Sequence, residues 1–164
     1  MPPPFYSSED FPWTTWFLTQ FQDVERETIA LNRGMTPLHS RMTPLYARYT
    51  EIVSGMPLED PRWFARTFIF FTIKNSIVLS AAPTTSSLLA KVPGIVSAVL
   101  LRLDGGVHLQ PHRGYTPDVL RCHLGISVPE PGKCVLRVAN ERRAVTFRKR
   151  TSTPEHALAS ETPT

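Results

Sequence analysis

Residues 106–140, GVHLQPHRGYTPDVLRCHLGISVPEPGKCVLRVAN, decide how this chain is interpreted, because they concentrate polar residues between short strand-like runs. Upstream, IVSAVLLRLD at 95–104 runs into the turn signal Asp104-Gly105-Gly106; downstream, RRAVTF occupies 142–147. Together these segments predict strands at 95–104, 107–112, 119–128, 134–139 and 142–147. Short strands at regular spacing, separated by turns, predict an antiparallel sandwich or jelly roll.

The N-terminal half has a different pattern. Apolar residues recur at helical spacing from Pro12 to Leu31, which predicts one amphipathic helix with Asp10 as its cap and Gly34 as its stop. Residues 35–62 are rich in turn signals and predict a long connection, whereas the aromatic and β-branched run 63–73 predicts a buried strand. A Ser/Thr cluster followed by Leu88 and Leu89 predicts a short helix that closes at Pro93-Gly94. The class is therefore α+β, mainly β.

Composition sets broad limits on function. The 164 residues suffice for one domain with a core, and the formal net charge is +4. Seven basic residues against one acid lie between Lys133 and Arg150, but one short basic run is weak evidence for nucleic-acid binding, and we interpret it as a solvated surface. Cys122 and Cys134 are expected as buried reduced thiols. The sequence shows no signal peptide and no transmembrane segment, so we expect a soluble, cytoplasmic protein.

His108 and His112 are the first candidates for a metal site. Residues four apart on a straight strand stand about 13 Å apart at ~3.3 Å per residue, so these two cannot bind one ion together. His112 is the better candidate, because Pro111 interrupts strand pairing and Gly114 leaves room beside it. Non-haem iron oxygenases use two His and one carboxylate, and Gly114 stands where that carboxylate is expected. Spacing alone is therefore weak evidence for a metal.

Arg121 and His123 have the same parity, so on a strand their side chains point to one face. If that face is internal, the pair needs an anionic partner such as a carboxylate, since burying unpaired polar groups is costly. The alternative is an outward, solvated face, which the residues by themselves favour.

Three motifs, PHRG at 111–114, LRCHLG at 120–125 and VPEPGKCVLRVANE at 128–141, closely resemble the aspartyl/asparaginyl β-hydroxylase family. The family's order of helix start, Pro-Gly break, strand, tight turn and histidine is also present upstream, in PTTSSLLAKVPGIVSAVLLRLDGGVHLQPHRG. DPRWFARTF is similar to its Trp-containing strand. The resemblance covers residues 58–141 well and 5–33 loosely; the combination is specific, whereas PHRG alone is not.

The resemblance implies a double-stranded β-helix, a cupin-like jelly roll, that uses Fe(II), O₂ and 2-oxoglutarate. Such a dioxygenase would hydroxylate an unactivated carbon of a peptidyl Asp/Asn or a related substrate, which could be a peptide, a protein or a small molecule; relatives hydroxylate lipid acyl chains. Gly replaces the carboxylate ligand in this family, so Gly114 agrees with its pattern. The implied metal ligands are His112 and His156, and the implied 2-oxoglutarate-binding residues are Trp63, Arg121 and His123.

The sequence also departs from the family's pattern. Leu101 stands where the family has a Ser, and after Ala144 the acidic strand leading to Glu-His is replaced by a basic, Pro-interrupted approach to Glu155-His156. We expect an extended lead-in at 1–10, an incomplete β-hydroxylase-like domain at 11–148 that lacks its last strands, and a basic and polar tail at 149–164. The alternative function is a catalytically inactive, truncated family member that acts as a binding module or has no activity.

Overall fold

The structure is a computed structural model that describes residues 3–37, 62–71, 73–109, 111, 118–130, 132–145 and 158–160, with backbone only at 36–37 and 158–160. The helical elements are a 3-10 turn at Ser8–Asp10, α1 at Thr14–Thr19, α2 at Phe21–Asn32, α3 at Ser76–Ala81 and α4 at Pro83–Leu89. The strands are β1 at Phe5–Tyr6, β2 at Thr36–Pro37, β3 at Trp63–Phe70, β4 at Ile73–Lys74, β5 at Ser97–Leu103, β6 at Arg121–His123, β7 at Val135–Val138, β8 at Glu141–Ala144 and β9 at Leu158–Ser160. They form two compact units, 19–115 and 1–18 with 116–164.

The predicted N-terminal helix is two helices. Gln20 adopts φ −107° and ψ 23°, which interrupts the helix between α1 and α2. The predicted cap Asp10 is wrong, because Asp10 is the last residue of the 3-10 turn and helix α1 begins only at Thr14. The predicted stop is close: α2 ends at Asn32, two residues before Gly34.

The core of the unit 19–115 lies between its helices and an antiparallel sheet. Helix α2 packs against α3 and α4, and α3 packs against β3. Strand β3 pairs with β2, β4 and β5, so it is the central strand. The buried apolar residues of this unit are Phe21, Val24, Leu31, Trp63, Ala65, Phe68, Ile69, Val78, Ala82, Leu88 and Leu89. The aromatic and β-branched run that predicts a buried strand at 63–73 is therefore confirmed over 63–70.

Arg102 joins β5 to the end of α2. Its guanidinium lies 3.6 Å from the centroid of the Phe64 ring, and its Nη1 donates to Asn32 Oδ1 at 3.0 Å. Its Nε also stands 3.0 Å from Asp104 Oδ1. The turn predicted at Asp104-Gly105-Gly106 is confirmed, and Gly106 supplies the positive φ of 79° that it requires.

The unit 1–18 with 116–164 contains two small antiparallel sheets. Strand β9 lies between β1 and β6, and β7 pairs with β8 as a hairpin. The hairpin turn holds Ala139 at φ 50°. The Arg143 guanidinium lies 4.4 Å from the centroid of the Phe5 ring, which fixes β8 against the N-terminal residues of the same unit.

The α+β class with antiparallel strands is confirmed, whereas the double-stranded β-helix stays a prediction. Residues 107–109 form no strand, so the strand predicted at 107–112 is wrong over its described part, and the strand predicted at 119–128 is reduced to 121–123. Most of the long connection predicted at 35–62 lies outside the described residues. The sequence pattern does not predict helix α3, although Asn75 is a good N-cap: its Oδ1 accepts from the Val78 N–H at 3.3 Å.

Candidate active site

Strand β6 brings Arg121 and His123 together, as their spacing predicts. They are two residues apart on one strand, so their side chains share a face. Arg121 is partly buried, whereas His123 retains exposed surface. The face is therefore reachable from solvent, which fits both a ligand-binding face and the solvated alternative.

The charges on this face favour an anion. Desolvation lowers the pKa of His123 below its ordinary value, and the neighbouring positive charge of Arg121 lowers it further. The imidazole is thus neutral at neutral pH, while the guanidinium remains charged. A carboxylate at this face would meet one permanent cation and one neutral ring that can donate a hydrogen bond.

Strand β9 lies directly beside this pair. In the antiparallel register Leu158 is opposite His123, and Ser160 is opposite Arg121. The strand begins two residues after His156, the second metal ligand that the family resemblance implies. Its pairing connects the last part of the sequence to the strand that carries Arg121.

Trp63 occupies the other compact unit, on β3. It is buried, with 2% of its surface exposed, and it is paired with Leu103 in the sheet. Its indole N–H, Nε1, has no hydrogen-bond acceptor in the described structure. Since a buried donor without a partner is costly, this atom is suited to an acceptor supplied by a ligand.

The proposed metal ligands are not placed. His112, Gly114 and His156 all lie outside the described residues. Within the described ranges there is no group of three or more His, Cys, Asp or Glu side chains arranged to hold a metal. A site with two histidines and no carboxylate would not form such a group, so the predicted ligand pair stays a prediction.

The two cysteines are more exposed than the sequence predicts. Both are free, but Cys122 is exposed and Cys134 is partly exposed, so the expectation that both are buried is wrong. Desolvation nevertheless raises the pKa of the Cys122 thiol to about 11, which keeps it protonated at neutral pH. It alternates with Arg121 and His123 on β6 and so points to the opposite face.

Two of the described basic residues from Lys133 onward lie close to acidic side chains. Lys133 Nζ lies 2.5 Å from Glu130 Oε2, and Arg143 Nη2 lies 3.9 Å from Glu141 Oε2. These are exposed or partly exposed local pairs, which agrees with a solvated surface. Across the described helices, none combines the length and apolar character that crossing a membrane requires.

Comparison with known proteins identifies the family. Residues 18–151 match the family described as Aspartyl/Asparaginyl beta-hydroxylase. The chain is 30% identical over 142 residues to an ornithine lipid ester-linked acyl 2-hydroxylase of Rhizobium tropici, covering 85% of this chain and 48% of the relative. It is 35% identical over 77 residues to an aspartyl/asparaginyl beta-hydroxylase of Homo sapiens, covering 43% of this chain and 10% of the relative.

The chain belongs to the aspartyl/asparaginyl beta-hydroxylase family, because the match covers most of its length. It spans about half the length of the bacterial relative and about a tenth of the human one. The resemblance carried by PHRG, LRCHLG and VPEPGKCVLRVANE is thereby confirmed at the level of the family.

Proposed function

We propose that this protein is an Fe(II)- and 2-oxoglutarate-dependent hydroxylase with a double-stranded β-helix core. The observation that carries the proposal is the arrangement on β6: Arg121 and His123 share one accessible face, and β9, which follows His156, pairs along the same strand. In a family of hydroxylases, such a face is suited to the anionic co-substrate.

Arg121 is proposed to bind a carboxylate of 2-oxoglutarate. A guanidinium presents two parallel N–H donors that match the two oxygens of a carboxylate, and this contact is stronger than a neutral hydrogen bond. His123 is proposed to donate from its neutral ring to the same anion. Its lowered pKa means that the ring is free of charge before the ligand arrives.

Trp63 is proposed, on separate grounds, as a hydrogen-bond donor to a ligand. The support is its buried Nε1, which lacks an acceptor among the described residues, together with its position in the family's Trp-containing strand. Its role can be tested separately from that of Arg121, because indole fluorescence responds to a ligand that contacts the ring.

His112 and His156 are proposed to hold Fe(II), with Gly114 leaving a ligand position open. When bound, iron and 2-oxoglutarate supply the oxidising power that inserts one oxygen atom of O₂ into a C–H bond. The donor set fits this metal, since imidazole is a suitable ligand for iron and two histidines are common to non-haem iron sites. The chain's own residues would bind the iron and 2-oxoglutarate and orient them.

The substrate we propose is the acyl chain of an amino-acid-containing lipid. The support is the extent of similarity, because the ornithine lipid hydroxylase matches 85% of this chain and the human β-hydroxylase matches 43%. A peptidyl Asp or Asn, which the family resemblance first implies, is the second candidate, supported by the higher identity of that shorter match.

A paired assay tests this proposal. Purified protein with Fe(II), 2-oxoglutarate and O₂ is offered either an ornithine lipid or an Asp/Asn-containing peptide, and succinate and hydroxylated product are measured. We expect lipid hydroxylation in step with succinate formation, and none with His112→Ala. Hydroxylation of the peptide alone would establish the second substrate. Absence of any turnover above the His112→Ala variant would reject the enzyme and leave a binding module or an inactive protein.

A further inference from the structure

One face of the paired strands β3 and β5 carries no charged side chain. Side chains directly opposite each other in an antiparallel pair lie on the same face of the sheet. The register therefore gives this face six members, which we name the apolar face: Trp63, Ala65 and Thr67 of β3 and, opposite them in the same order, Leu103, Leu101 and Val99 of β5. The face ends at the β-bulge between Thr67 and Ile69, where the pairing shifts by one residue.

The β5 half of the apolar face is open to solvent. Val99, Leu101 and Leu103 are 39%, 44% and 43% exposed, and at ~3.3 Å per residue they form a stripe about 13 Å long. The charged residue of the strand, Arg102, lies on the opposite face, where it donates to Asn32 of α2. A solvated strand face ordinarily carries the polar residues, so β5 shows the reverse pattern.

The β3 half of the apolar face is covered and contains an unpaired donor. Trp63 is opposite Leu103, so its indole lies at one end of the stripe. The indole nitrogen Nε1 has no acceptor in the described structure and no contact with solvent. A buried donor without a partner is costly, so a ligand gains affinity by bringing one acceptor to this end. The indole has to shift as that acceptor enters, because Nε1 is shielded.

These features indicate the kind of ligand. An uncharged face offers nothing to neutralise a phosphate or a dicarboxylate, and both are costly to move out of water. Sites lined by apolar side chains with one placed polar group suit a largely apolar molecule. A fatty acyl group has an apolar chain with a carbonyl oxygen at one end, which is the arrangement of the stripe and the Trp63 donor.

We infer that the apolar face binds the acyl chain of the lipid substrate. The chain lies along Val99, Leu101 and Leu103, and the acyl carbonyl accepts a hydrogen bond from Trp63 Nε1. This acyl-binding role rests on the proposed hydroxylase function, whose lipid substrate it places. The family resemblance implies a 2-oxoglutarate contact for Trp63; here Trp63 serves the lipid instead. Leu101 agrees with this role, because an apolar side chain stands where the family has a Ser.

Binding of methyl octanoate, a short acyl ester, tests this role in the full chain without iron or 2-oxoglutarate. Calorimetric titration gives the affinity. Val99→Asn and Leu101→Asn should each weaken binding by roughly tenfold, because an apolar side chain that the ester buries becomes polar. Val135→Asn is the matched control: the same substitution at a strand residue that is 46% exposed on β7, outside the apolar face. Its affinity should equal that of the unmodified protein.

Trp63→Phe tests the donor. The variant keeps an aromatic ring and loses the N–H, so ester binding should weaken by roughly tenfold, as expected for one lost hydrogen bond. A cooperative thermal unfolding transition shows that the variant is folded. Its affinity for 2-oxoglutarate, measured anaerobically with Fe(II), should equal that of the unmodified protein.

Three results would overturn the acyl-binding role. One is no ester binding by the unmodified protein, or equal binding by it, Val99→Asn and Leu101→Asn. Another is weaker 2-oxoglutarate binding with unchanged ester binding in Trp63→Phe, which would place the co-substrate at this face. The third is a dimer, seen by light scattering, that Leu101→Asn dissociates; the face would then serve a second copy.

Failure of the hydroxylase function looks different. Ester binding that Val99→Asn and Leu101→Asn weaken, in a protein that forms no succinate from 2-oxoglutarate, would reject the enzyme and support the acyl-binding face.

Discussion

At the scale of single residues, Glu27 connects helix α2 to helix α4 in the unit 19–115. Its Oε1 accepts from the Thr84 N–H at 2.8 Å, and its Oε2 accepts from the Thr85 N–H at 2.8 Å and from Thr85 Oγ1 at 2.7 Å. The carboxylate of α2 thus caps the first turn of α4, whose own N-cap residue, Ala82, has no side-chain acceptor.

Glu27→Gln should lower the free energy of unfolding by about 1–2 kcal/mol, because a charge-assisted cap becomes a neutral one. Chemical denaturation at pH 7 measures this. Glu25→Gln on the same helix is the control, and a loss of equal size there would mean that the cap is not the cause.

The same residue predicts a pH dependence. Burial by itself raises the pKa of Glu27, but the hydrogen bonds from Thr85 and Thr84 outweigh it, so the folded-state pKa lies below the ordinary value. The stabilising contribution is therefore complete above the unfolded pKa of about 4.3 and is lost as pH falls through the folded pKa. The difference in unfolding free energy between the unmodified protein and Glu27→Gln should narrow below about pH 4. A difference that stays constant down to acid unfolding would contradict the assignment.

Arg121 carries a separate prediction for the proposed ligand. Arg121→Gln should weaken 2-oxoglutarate binding by roughly tenfold to a hundredfold, since a hydrogen bond to a charged group is lost. Anaerobic calorimetry with Fe(II) present measures the affinity. Arg137→Gln, an exposed site on β7, removes the same charge elsewhere in the sequence and should have little effect. Equal losses in both variants would indicate a general effect of net charge.

Residue chemistry was partly predictable from the sequence. Arg121 and His123 are two residues apart, so any strand through 121–123 places their side chains on one face, and the structure confirms that strand. The cap made by Glu27 was not predictable, because its partners Thr84 and Thr85 are distant in sequence and no local pattern marks such a contact.

At the scale of elements, the three-residue strand β9 joins β1 and β6 into one sheet. It is the middle strand of its sheet: Ala159 is paired with Tyr6 of β1 on one side and with Cys122 of β6 on the other. The residues that carry the proposed ligand face therefore depend on backbone hydrogen bonds from this strand.

Ala159→Pro should disrupt the pairing of β9 with its neighbouring strands, because proline cannot donate a ladder hydrogen bond and is excluded from central strands. Faster amide hydrogen exchange at 121–123 and weaker 2-oxoglutarate binding are the expected results. Ala159→Val keeps the N–H and favours a strand, so it should leave exchange unchanged. Unchanged exchange in the proline variant would show that β9 does not support β6.

The elements differed in how far the sequence could predict them. Strand β3 was predicted because its aromatic and β-branched run is long and continuous. Strand β9 lies within the tail that the sequence predicts at 149–164, because Leu158-Ala159-Ser160 is too short to show a periodic pattern and its partner strands are far away in the sequence. The break at Gln20 has no local signal, because the apolar spacing continues through it.

At the scale of the whole molecule, the family follows from the match over most of the chain, and the site chemistry is our proposal. The match over 18–151 establishes a hydroxylase family, and the described residues contribute an anion-suited face on β6 and a buried indole donor on β3. The jelly-roll arrangement and the iron site remain predictions from the resemblance, since a barrel and a two-histidine site both depend on long-range pairing that periodicity does not encode.

The proposed hydroxylase requires that this chain itself supply two histidine ligands for iron. Anaerobic Fe(II) titration of the unmodified protein, His112→Ala, His156→Ala and the control His108→Ala tests it most directly. We predict that the first two substitutions each weaken iron binding by at least roughly a hundredfold, since affinity depends on ligand number, while His108→Ala does not. Equal iron affinity in the unmodified protein and in His112→Ala, or in His156→Ala, would contradict the account.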